Sequence, residues 1–82
     1  MNFGIKQMSS PAQLDLVGIG WPVCLLKFKT VIDSLDSYEV LEVLAEDPDV
    51  VKSIILIIER SEDKLIRQEQ DGGFYRLYVQ RK

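Results

Sequence analysis

Hydrophobic and polar positions change period several times along the chain, and each change marks an element. Residues 1–12, which include Ser9-Ser10-Pro11, sustain neither a period of two nor one of 3.6, and predict a loosely held N-terminal arm ahead of a domain spanning residues 13–82. Gln13-Leu14-Asp15-Leu16-Val17 alternates, with Leu14 and Leu16 on one face, and Gly18-Ile19-Gly20 then interrupts it, so a short strand and a turn are expected. Pro22 suits the first position of a helix, where its missing N–H costs nothing, and the helix is predicted over residues 22–35. At 100° per residue, Cys24, Leu25, Phe28, Val31, Ile32 and Leu35 share one arc, and Lys27, Lys29 and Thr30 lie outside it. That face is core and the other is wet.

Glu39-Val40-Leu41-Glu42-Val43-Leu44-Ala45 reads as a second strand, able to lie parallel to the first because a full helix separates them. Asp47-Pro48 is a helix start, with Asp47 as N-cap and Asp49 placed well for the macrodipole. The residues that follow, Val50-Val51-Lys52-Ser53-Ile54-Ile55-Leu56-Ile57-Ile58, favour a strand by propensity alone, and the start signal and spacing predict a helix instead. Residues 64–69 and 74–81 flank Gln70-Asp71-Gly72-Gly73, a hairpin signal. The predicted order is β-α-β-α-β-β.

Composition narrows the classes of function. The 82 residues fit one small domain, and no apolar run approaches the roughly 20 residues that span a bilayer, so no membrane insertion is expected. The first residues lack the basic-then-apolar order of a secretory signal, and a cytoplasmic location is expected. A net charge of −3 and a pI near 4.8 disfavour nucleic acid as a partner. With no histidine and one cysteine, Cys24, an internal disulfide, histidine catalysis and a thiolate zinc cluster are excluded, and no metal site is expected.

Three motifs carry a resemblance to a known family. Leu14-Asp15-Leu16-Val17-Gly18 leads into Trp21-Pro22-Val23-Cys24 and the lysines Lys27 and Lys29; Glu46-Asp47-Pro48 opens the second helix; and residues 74–82 form a closing strand. Together they resemble the TusA/SirA-like sulfur carriers, whose signature joins Leu-Asp-x-x-Gly to Cys-Pro-x-Pro. The resemblance spans residues 14–82 and implies an α/β (α+β) two-layer sandwich, with two helices on one face of a four-stranded mixed sheet. It also implies a protein partner: the family cysteine takes up a persulfide and passes its sulfur to another protein. A thiol just before a helix start gains from unpaired amides and partial positive charge. Here Trp21 stands at the family's cysteine, and Cys24 at its second proline.

Trp21 breaks a local rule, because an N-cap accepts a hydrogen bond and indole cannot. It either contacts a partner or stacks a flat cofactor such as a flavin or nucleotide, or it folds back over Leu25 and closes the core. Cys24, near the third helical position, is either a displaced sulfur-carrying thiol or a small core hydrophobe beside Phe28, and its place in the apolar arc favours the second. Lys27 and Lys29 lie about 160° apart on the wheel and form no single clamp, although either could approach an anion. Glu39, Glu42, Glu46, Asp47 and Asp49 are assigned to solubility and capping. The residues from Ile54 to Ile58 are apolar on more than one face, which implies full burial or a surface that meets a partner. Three functions follow: a degenerate member acting as a binding or accessory module, with Trp21, Pro22, Lys27 and Lys29 as binding residues; an active carrier using Cys24 as the catalytic thiol; or a flavin binder.

Overall fold

The computed structural model describes residues 11–82. Strand β1 (Ala12–Asp15) leads to helix α1 (Val23–Ser34), strand β2 (Val40–Ala45), helix α2 (Pro48–Glu59) and the strands β3 (Lys64–Asp71) and β4 (Phe74–Gln80). The expected β-α-β-α-β-β order and four-stranded mixed sheet are both present. The sheet order is β1-β2-β4-β3, with β1 parallel to β2 and both other pairings antiparallel. Strand β1 begins at Ala12, which the period alone assigned to the arm; the rest of that arm, apart from Pro11, lies outside the described residues.

The β-branched stretch is a helix because its start and its burial both favour one. Asp47 accepts a hydrogen bond from the Asp49 amide at 2.8 Å, and Pro48 occupies the first turn. Val50, Val51, Ile54 and Ile58 are buried, Ile55 and Ile57 pack partly against them, and Leu56 points outward. Burial of a broad apolar stripe outweighs the few tenths of a kcal/mol per residue by which propensity opposes it. From the other side come Cys24, Phe28 and Ile32 of α1, and from the sheet Leu41, Val43 and Ala45 of β2 with Leu77 and Val79 of β4. Both helices therefore cover one face, as expected.

The opposite face holds a polar network centred on Glu42, which composition had assigned to solubility. Its carboxylate accepts hydrogen bonds from Gln13 at 2.9 Å and from the Tyr78 hydroxyl at 3.2 Å, and pairs with Arg76 at 3.1 Å, joining β1, β2 and β4. Arg67 of β3 lies over the Tyr78 ring, 5.4 Å from its centre. Desolvation, followed by the Glu42 charge, raises the Tyr78 pKa above its ordinary 10.0. A phenol whose folded pKa is raised contributes stability that is complete below its unfolded pKa and lost as pH rises through the folded one. Stability should therefore fall as pH climbs past 10, and Tyr78→Phe should flatten that part of a thermal-unfolding profile; equal slopes in the two proteins would contradict this.

Outside the connection between β1 and α1, two turns need left-handed backbone. Gly72, at φ +63°, fills one in the two-residue hairpin loop without steric cost. Tyr38 fills the other at φ 69°, in the connection between α1 and β2, where a bulky side chain is unusual. It is held there by its amide, which donates to the Arg81 carbonyl at 2.8 Å, and by its carbonyl, which accepts from the Gln80 side chain at 3.2 Å. Relief of the left-handed penalty is worth about 1–2 kcal/mol and glycine's extra chain entropy costs about 0.5–1 kcal/mol. Tyr38→Gly should thus raise stability by roughly 0.5–1 kcal/mol in urea denaturation, since the ring itself is not buried.

Candidate docking site at the start of the first helix

Parallel β1 and β2 run out at the same end of the sheet, and the helix that follows each begins there. The Leu-Asp-x-x-Gly stretch explains how the chain turns. Asp15 accepts a hydrogen bond from the Val17 amide at 2.9 Å, the Ile19 amide reaches the Leu16 carbonyl at 3.1 Å, and Gly18 takes a φ of +79°. Leu16 is buried, so the turn is anchored in the core.

Helix α1 then starts one residue later than predicted. Pro22 is the N-cap, Val23 the first helical residue and Cys24 the second, so Trp21 precedes the cap instead of occupying it. No side chain caps this helix. The loop does that work with its own carbonyls: the Cys24 amide donates to Gly20 at 3.1 Å, and those of Leu25 and Leu26 donate to Pro22 at 3.0 and 3.2 Å. Among the described residues, Val23 alone of the first four amides has no partner. An anion at this terminus would find little hydrogen bonding left to it.

The two residues on which the chemistry turns lie on opposite sides of the protein surface. Cys24 is 0% exposed, within the core beside Phe28 and Ile32, as its place in the apolar arc predicts. Trp21 is 70% exposed, so it does not fold back to close the core; Leu25 packs there without it. Val23 and Leu26 also face solvent, Leu26 at 64%, and with Trp21 they form an apolar patch at the first turn. Sequence reasoning passed over Leu26, although it falls outside the core arc, and an apolar residue on the wet side of a wheel is the signal that identifies it.

The lysines part company. Lys27 is exposed on the first half of α1 with no ion-pair partner among the described residues, whereas Lys29 pairs with Asp33 at 3.3 Å and belongs to a charged cleft farther along. Beside the loop is a crevice of about 150 Å³ lined by Gly18, Ile19, Gly20, Glu46 and Asp47 among others. Ligand pockets commonly have roughly 300–1,000 Å³, so a flat cofactor would have to lie on the indole and not within this crevice. No helix among the described residues is long and apolar enough to cross a membrane.

Comparison with known proteins agrees with this arrangement. The chain is 26% identical over 69 residues to a sulfur carrier protein TusA of Allochromatium vinosum, an alignment covering 84% of this chain and 91% of the relative. Its fold matches that of a SirA-like protein from Desulfitobacterium hafniense with a TM-score of 0.74 at 17% identity, over 84% of this chain and 95% of the other. The sequence model described as sulfurtransferase TusA matches residues 12–81, which is nearly all of the described structure, and the chain therefore belongs to the TusA family.

Proposed function

We propose that this chain is an accessory member of its family that docks on a protein partner in a sulfur-handling or redox assembly and carries no sulfur itself. One observation carries the reading: the only thiol is enclosed in the core, while the residue standing at the family's cysteine is an exposed indole. A persulfide forms by attack of a thiolate on a donor's sulfur, which needs access that Cys24 lacks. Trp21, Val23 and Leu26 instead offer an apolar anchor, with Lys27 beside it to set orientation, and exposed tryptophan is prominent among residues that dominate binding energy. Pro22 contributes by fixing the backbone between Trp21 and the helix.

Incubation with a cysteine desulfurase and cysteine, followed by intact-mass measurement, should leave the native protein without added sulfur. Sulfur on Cys24 would replace this reading with that of an active carrier. Against the products of neighbouring genes, Trp21→Ala should weaken the partner interaction by at least roughly tenfold without loss of fold. Equal affinity of wild type and variant would exclude the patch as the docking surface.

A further inference from the structure

At the pole opposite Trp21, the ends of α1, α2 and β4 enclose a cleft of about 380 Å³ whose charge opposes that of the protein. Lys29, Arg60, Arg81 and Lys82 face the carboxylates of Asp33, Glu62 and Asp63 there, a side-chain charge of +1 in a chain whose side chains sum to −3. Asp33 is shared by Lys29 at 3.3 Å and Arg81 at 3.2 Å, Lys82 pairs with Glu62 at 3.2 Å, and Arg60 pairs with no carboxylate among the described residues. Arg60, the C-cap residue of α2, answers the partial negative end of that helix. That role leaves the neighbouring tyrosine unexplained.

Tyr38 is bonded through its backbone to Arg81, takes up the left-handed conformation described above, and leaves its ring 73% exposed. Neither the core nor the turn benefits from that side chain, since glycine would satisfy the backbone better. Strained residues that the surrounding structure holds in place gather at functional sites, and tyrosine and arginine are the types most enriched where binding energy concentrates.

From the exposed ring and the reversed charge we infer a second docking surface, comprising Tyr38 and the basic cleft around Arg60 and Arg81, that takes an acidic segment of a partner protein. Charge complementarity selects that occupant: carboxylates of the segment reach Arg60 and the cations that share Asp33, while an apolar side chain packs on Tyr38. The surface does not depend on the Trp21 patch, so either can fail alone.

The probe is a short fluorescein-labelled peptide of glutamates and aspartates around one phenylalanine, titrated into the full chain, with amide shifts followed by NMR. Binding should weaken with salt, shift Tyr38, residues 60–63 and residues 81–82, and remain unchanged in Trp21→Ala. Arg60→Glu should weaken it about tenfold, and Tyr38→Gly about fivefold or more while leaving the protein folded and more resistant to urea. The inference is overturned if the peptide does not bind, if its shifts fall on residues 18–26, if Tyr38→Gly binds as wild type does, or if an RNA oligonucleotide competes better than the peptide.

Discussion

Cys24 in the native protein should react with an aromatic disulfide reagent at least about a thousandfold more slowly than in urea, because the thiol becomes accessible only when the core opens. The expectation follows from position. Cys24, the second residue of α1, is fully buried in the core cluster that also contains Leu41, Val43 and Leu77 of the sheet and Val50, Val51, Ile54 and Ile58 of α2. Opening that region approaches global unfolding, and domains of this size are stable by several kcal/mol, which sets the scale of protection. A native rate within tenfold of the denatured one would mean that the start of α1 opens locally. It would also revive the carrier reading, since a thiol that opens cheaply could meet a sulfur donor. Denaturant dependence separates the two cases: protection lost only across the cooperative transition reports the core, and protection lost well below it reports local fraying.

Phe28→Ala is the substitution expected to damage the fold most. Phe28 is the largest of the fully buried side chains and projects from the middle of α1 onto the sheet. Truncating such a residue costs about 3–5 kcal/mol in lost transfer energy and residual cavity. A small domain has roughly 0.05–0.15 kcal/mol of stability per residue, so the variant should be largely unfolded or melt far below wild type. Leu26→Ala, on the same helix, should change stability by less than about 0.5 kcal/mol, because Leu26 is exposed. Far-UV circular dichroism is the suitable probe for both. Trp21 fluorescence would report the transition poorly, because its ring is already in water in the folded state. Loss of partner binding in Leu26→Ala at unchanged stability would tie the patch to docking, and similar melting of the two variants would contradict the burial on which the argument rests.

The elements were readable where period and punctuation agreed. Asp47-Pro48 predicted the start of α2 against the strand propensity of the residues after it, and Asp71-Gly72 predicted the turn between β3 and β4. The wheel of α1 separated Cys24, Phe28 and Ile32 from the lysines, and all three are buried. Helix caps were less accessible. Pro22 is permitted both at the N-cap and in the first turn, and the choice rested on where the loop carbonyls of Gly20 and Pro22 could reach the amides of residues 24–26.

The patterns of the chain by themselves determined the order of elements, the core face of each helix and the resemblance to a family, because these depend on neighbours within a few residues or on periods of two and 3.6. Only the tertiary structure decided whether Trp21 closes the core or stands in solvent: Leu25 packs against the core and the indole does not. Only it brought Gln13, Glu42, Arg76 and Tyr78 into one network across three strands, and set Tyr38 beside Arg81, more than forty residues later in the chain. Those contacts come from strand register and packing between distant segments, which no local pattern contains.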